Sequence, residues 1–205
     1  GRRQFRQDQR PAPRTGGRRR VHPHRHPAAR RRRRRLQHAP RPCHRQHPVR
    51  EPDAPEDVIQ KYNQKVLELE IQEAYDVVAV PGAHELLEEL NSRNIPWTIV
   101  TSGVKSLATA RTKFAGIELP KNAVTFDQVT QGKPFPEPFI LGAERIGLPP
   151  QLTWAVEDAP GGIRSAKLAG CTVCSVATTN IKEDLHEADH HLERVLDLLE
   201  VSGIK

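Results

Sequence analysis

Two adjacent carboxylates, Glu157 and Asp158, follow the largely apolar run 152–156 and lead into Ala159-Pro160-Gly161-Gly162. At the carboxyl end of a strand, two acidic groups on a tight turn suit a hard cation such as Mg2+. A local reading competes with this one: Asp158 serves the backbone of the helix that follows as its cap. A second candidate is Thr101-Ser102-Gly103, directly after the apolar run 97–100. A hydroxyl pair and a glycine at a strand-to-helix turn can bind an anion, because backbone N–H groups and the helix dipole point at one spot. Its ordinary alternative is a Ser/Thr cap. The third candidate is Lys133, which follows Gly132 and precedes Pro134-Phe135-Pro136. Held in a rigid loop, its ammonium can hold a phosphate or balance carboxylates, whereas a solvated surface lysine is the plain alternative.

What could bring these groups together is the order of the elements. Val58, Tyr62, Val66 and Leu69 keep helical spacing, so 57–75 is expected to be an amphipathic helix with Asp57 as its N-cap. An apolar run, 77–80, ends at Pro81-Gly82 and opens a helix with Leu86, Leu87 and Leu90 on one face. Strand 97–100, helix 105–115 and strand 123–126 come next. A helix carrying Phe139, Ile140, Ala143 and Ile146 then stops at Gly147. After it come strand 152–156, a helix reaching Ala169 and stopping at Gly170, strand 172–177, and a last acidic helix bearing Leu192, Val195, Leu196 and Leu199. Strands alternating with helices over short connections predict an α/β, Rossmann-like fold: a mostly parallel sheet covered by helices on both faces. Ligands of such sheets bind at the carboxyl ends of the strands, where all three candidates fall.

Composition breaks at residue 50. Residues 1–50 hold eighteen Arg against one acid, Asp8, for a charge of +17; residues 51–205 hold fourteen Lys plus Arg against twenty-four acids, for −10. Too few apolar residues stand in 1–50 to offset the entropy of ordering, so disorder is expected there. Three readings compete for the segment. A basic tail could bind nucleic acid by releasing counterions from phosphates, although only Phe5 is available for base stacking. An organelle transit peptide would be amphipathic and rich in Ser, and this stretch has no Ser. The composition best fits the third reading, GC-rich coding DNA read in a shifted frame. Cys171 and Cys174 are expected to be buried, reduced thiols on opposite faces of a strand, fitting a cytoplasmic protein. No apolar run approaches membrane length.

The motifs V-P-G-A, I-V-T-S-G, Q-G-K-P-F-P-E-P-F and V-E-D-A-P-G-G-I-R-S-A-K-L-A-G-C, in that order, resemble the haloacid dehalogenase superfamily. The sequence is most similar there to fungal-type sugar-phosphate and glycerol-phosphate phosphatases. The likeness is good over 77–205, which it makes a core, and loose over 51–76, which it makes the remnant of a helical cap. It implies Mg2+-dependent hydrolysis of a small phosphate monoester through a phospho-aspartate. Thr101 would then bond the transferring phosphoryl group, Ser102 and Gly103 would lend backbone donors, Lys133 would neutralise the phosphate, and Asp158 with Glu157 would ligate Mg2+.

One departure is serious. The family's nucleophile motif, D-x-D-G-T or close to it after the first strand, is missing: Asp8 is followed by Gln9 and Arg10, and Asp53 and Asp57 lie four apart in a Pro-rich joint. The first strand of the core is missing with it, so an apolar seam and little or no turnover are expected of the chain as written. Two other functions stay open at this point: a non-catalytic protein binding nucleic acid through residues 1–50, and a phosphomutase of the same superfamily.

Overall fold

A computed structural model of the chain describes residues 54–204. The break at residue 50, and every expectation about the basic segment, lie outside the described residues. Helix α1 (Glu56–Gln72) starts one residue before Asp57, behind Pro55, and no side chain caps it; Asp57 is instead one of two acids in its first turn, favourable to the helix dipole. None of its residues is buried, and Val58, Tyr62 and Leu69 are exposed. Residues 77–80 then run extended without joining a sheet, with Val78 80% exposed, so the first expected strand does not form.

Helix α2 (Ala83–Ser92) buries Leu86 and Leu90, and α3 (Lys105–Phe114) buries Leu107 and Ala108. The expected strands 97–100 and 123–126 meet only in a single parallel bridge, Val100 to Val124. Helix α4 (Glu137–Arg145) follows, then β1 (Trp154–Glu157), α5 (Pro160–Ala169) and β2 (Thr172–Val176). Gly170 ends α5 at φ +97°, a left-handed conformation that costs glycine little. The expected last helix is broken up. Its first part, His190–Leu192, is a strand, β3; a 3-10 turn follows, and only Leu198–Val201 forms a short helix, α6. Cys174 to Val176 offer a free parallel edge, and pairing with His190 to Leu192 outweighs the local helical spacing.

The sheet is parallel throughout, in the order β1-β2-β3. One face packs Ala155 and Val173 against Phe139, Ile163 and Ala166 of α4 and α5. The other packs Val156, Cys174 and Leu192 against Leu86, Leu90 and Leu198. The expected α/β layering is therefore present, with helices on both faces. Cys171 and Cys174 are free and buried in opposite layers. Burial, then the charge of Asp189, pushes the Cys174 thiol up to about 11, which keeps it protonated and unreactive at neutral pH.

Asp189 ties the layers together: its carboxylate pairs with Lys167 of α5 and accepts the Val173 N–H at 2.9 Å. The hydrogen bond from Lys167, then that from Val173, holds the carboxyl below the usual carboxylate range. A depressed acid stabilises the fold fully above its unfolded value and loses that contribution as pH falls through its folded value. Asp189→Asn is expected to cost about 1 kcal/mol at neutral pH, since both partners are partly exposed, and the deficit should vanish in acid. Urea titrations of the two proteins at neutral and acidic pH measure it; a deficit independent of pH would mean the carboxylate charge is not what stabilises.

Candidate functional site

The carboxyl ends of the parallel segments carry all three sequence candidates. Glu157 is the last residue of β1, and its carboxylate forms an ion pair with Lys133. Both side chains are nearly enclosed, 9% and 12% exposed. The Lys133 ammonium also donates to the Val100 carbonyl at 3.0 Å and lies 4.9 Å from the centre of the Phe139 ring. It thus spans from the end of segment 97–100 to the end of β1. Of its three donors, two are engaged by protein oxygens.

Several neighbours hold Lys133 in place. Ser165 of α5 donates to the Phe135 carbonyl at 2.5 Å, fixing the loop just after Lys133. Upstream, the Glu137 carboxylate accepts the N–H groups of Thr130 and Gln131 at 2.8 and 2.7 Å, folding the loop back on the start of α4. Gly162 leaves room for this pair: a Cβ there would fall 2.2 Å from the Glu157 carboxyl carbon and would push the carboxylate off its place beside Lys133. The turn after β1 therefore lets α5 pass directly over the carboxylate that Lys133 binds.

Asp158 does not cap α5. Ala159 occupies the cap position, with no side-chain bond, and Asp158 turns instead to the loop after β2. Its Oδ2 accepts hydroxyl bonds from Thr179 at 2.6 Å and Thr178 at 2.9 Å, while Asn180 Nδ2 donates to its backbone carbonyl at 2.8 Å. Its own N–H points to Glu157 Oε2 at 3.3 Å. Sequence reasoning missed Thr178, Thr179, Asn180 and Ser165. For the first three a signal existed, because β1 and β2 are parallel neighbours and the residues after both must emerge side by side.

Thr101, Ser102 and Gly103 form the bend between segment 97–100 and α3. Thr101 donates its N–H to the Val124 carbonyl and its Oγ1 accepts the Gly103 N–H at 3.1 Å. At the start of α3 the Lys105 N–H is taken by Asp127 Oδ1 at 2.9 Å. The first turn of α3 therefore has a carboxylate acceptor of its own, and an anion at this bend would rely on the donors before Lys105.

The donor set can be tested against a cation. Among the described residues no three His, Cys, Asp or Glu side chains gather as a metal cage. Glu157 is engaged by Lys133, and Asp158 has one oxygen, Oδ2, fixed by two hydroxyls. Such a set fits Mg2+, which keeps several waters and is usually held by one or two carboxylates completed by phosphate oxygens. It does not fit a cation that needs many protein oxygens.

Known proteins resemble this chain in sequence and in fold. The chain is 44% identical over 130 residues to hexitol phosphatase A of Escherichia coli, covering 62% of this chain and 60% of that protein. It is 38% identical over 138 residues to glycerol-1-phosphate phosphohydrolase 2 of Saccharomyces cerevisiae, covering 62% and 54%. It thus spans three fifths or less of these two relatives. Among solved structures, a hydrolase from Pseudomonas syringae superposes with a TM-score of 0.66 at 30% identity, over 74% of this chain and 71% of that one. A β-phosphoglucomutase from Clostridium difficile shares the fold, at a TM-score of 0.58 and 22% identity over 72% and 64%. The haloacid dehalogenase-like hydrolase family matches residues 8–170, most of the chain, and the chain belongs to that family.

Proposed function

We propose that the chain carries the phosphate- and metal-binding half of a Mg2+-dependent phosphatase acting on a small phosphate monoester, a sugar phosphate or glycerol phosphate. The observation that carries this reading is Lys133, an enclosed ammonium fixed between the Val100 carbonyl and Glu157 with one N–H left over. That third donor, together with the Thr101 hydroxyl, would bond the oxygens of a phosphoryl group, and the Gly103 N–H, now on Thr101 Oγ1, would turn to it when the hydroxyl does. Asp158 and Glu157 would hold Mg2+, which when bound offsets charge on the phosphoryl oxygens. Thr178 and Thr179 orient the Asp158 carboxylate for that task. The substrate class is taken from the relatives, whose names specify hexitol phosphates and glycerol 1-phosphate.

Turnover is a separate matter. The phospho-aspartate route needs a nucleophilic carboxylate facing Lys133, and the acids beside it, Glu157 and Asp158, are assigned to the metal. The chain as written is therefore expected to bind phosphate and release little or none from an ester. Incubating it with hexitol phosphates and glycerol phosphate in Mg2+, and separately titrating orthophosphate by calorimetry, tests both parts. Release above background would overturn the expected inactivity. Absence of Mg2+-dependent phosphate binding would overturn the site.

The mutase alternative has only the likeness in fold behind it. Nucleic-acid binding concerns residues outside 54–204 and has no support from the relatives. No helix among the described residues is long and apolar enough to cross a membrane. The two buried, reduced thiols support a cytoplasmic location.

A further inference from the structure

Pro134 and Pro136 flank Phe135 and have no N–H to give. The Phe135 N–H is spent within the loop, on the Gly132 carbonyl at 3.1 Å. Main-chain hydrogen bonds can therefore tie segment 134–136 to the rest of the fold only through its carbonyls. The Pro136 carbonyl takes the Phe139 and Ile140 N–H groups of α4, into which the segment leads. Among the described residues, the one hydrogen bond reaching this segment from any other element comes from Ser165 of α5, to the Phe135 carbonyl. Ser165 is wholly buried. A serine inside a helix can return its hydroxyl to the carbonyl four residues back, yet this one reaches a residue thirty positions away. Three residues earlier, on the same face of α5, Gly162 lies against the Glu157 carboxylate. One helix face thus meets both partners of the enclosed ion pair: Glu157 directly, and Lys133 through the residue two after it.

We propose that Ser165 is a positioning residue for Lys133: its hydroxyl holds the loop at Phe135 and so sets the direction of the third ammonium N–H, the donor open to a phosphoryl oxygen. This role rests on the phosphatase reading for its ligand, an orthophosphate or phosphate-ester anion. The Val100 carbonyl and Glu157 take two of the ammonium's donors. With those acceptors fixed, a tetrahedral nitrogen aims its third N–H according to the direction from which its stem arrives. The stem is a flexible four-carbon chain, so that direction follows the placement of the Lys133 main chain. A loop shift of about 1 Å turns the donor away from its target, and misplacement on that scale is known to weaken what a distant, well-packed residue supports. Ser165 itself touches no ligand in this arrangement. Glu157 and Asp158, the proposed metal carboxylates, take their hydrogen bonds from Lys133, Thr178 and Thr179 and none from Ser165.

Ser165→Ala in the full chain tests the role. Calorimetric titration of orthophosphate in saturating Mg2+ is expected to show about tenfold weaker binding, the scale of one misdirected hydrogen bond from a charged donor. Mg2+ titrated alone should bind within about twofold of the parent chain, because the metal carboxylates keep their partners. General loosening of the site would weaken both ligands together. A second measurement needs no ligand: urea unfolding of Ser165→Ala in the parent chain and in the Lys133→Met, Glu157→Gln variant, where no charge is left unpaired. In the parent the unfolding constant should rise about tenfold, and in the variant about threefold or less, because part of what the Ser165 bond contributes is holding Lys133 on Glu157. Unchanged orthophosphate affinity, a parallel loss of Mg2+ affinity, or additivity in the unfolding cycle each overturns the proposal. If the parent chain binds no orthophosphate, the phosphatase reading fails, whereas the ligand-free cycle still decides whether Ser165 positions Lys133.

Discussion

Replacing Lys133 by Met is expected to lower the unfolding free energy by about 3 kcal/mol, the largest cost among the ion pairs of the described residues. The reason is burial. Lys133 and Glu157 are nearly enclosed, so removing the ammonium leaves a carboxylate desolvated and uncompensated, whereas the pair at Arg164 and Glu187 lies in solvent. Met preserves most of the stem, including its packing near Phe139, so the loss reads the charge rather than a cavity. The double variant Lys133→Met, Glu157→Gln should recover much of the stability, because no unpaired charge remains. Urea unfolding of the two singles and the double forms the cycle. A single-variant cost under about 1 kcal/mol, the range of exposed pairs, would mean that water reaches this pair freely.

Asp158→Asn separates metal binding from folding. An amide oxygen can still accept the hydroxyls of Thr178 and Thr179, so the melting temperature without metal should change little. Affinity for Mg2+, on the proposed reading, should fall on the order of a hundredfold, because an anionic ligand to a hard cation becomes neutral. Thr179→Ala should act in the same direction by roughly tenfold, since it removes the shorter of the two bonds that aim the carboxylate. Calorimetric titration of Mg2+ into the three proteins measures both effects. An unchanged affinity in Asp158→Asn would place the cation elsewhere, and a large fall in stability would show the carboxylate to be structural.

The candidate residues were legible because their signals are local. Glu157-Asp158 before Pro-Gly-Gly, Thr101-Ser102-Gly103 after an apolar run, and Lys133 between Gly and Pro each lie within a few residues of the feature that marks them. The same holds for α2, α4 and α5, whose apolar spacing and stop at Gly170 survive in the fold. Local signals misled where a distant partner decided. Leu192 keeps helical spacing with Val195 and Leu196, yet it ends a strand because β2 offers an edge. Residues 77–80 are apolar enough for a strand, yet no described segment pairs with them. Asp158 sits where a helix cap belongs, yet two threonines twenty residues on take its carboxylate.

By itself, then, the sequence determined the α/β alternation and the family, and it marked the loops proposed to carry chemistry, since periodicity and turn residues act over a few positions. Only the tertiary structure decided that Lys133 binds Glu157 and reaches Val100, and that Thr178 to Asn180 hold Asp158. These are contacts between residues twenty or more apart. Their geometry depends on strand order and helix packing, which no window of local sequence encodes.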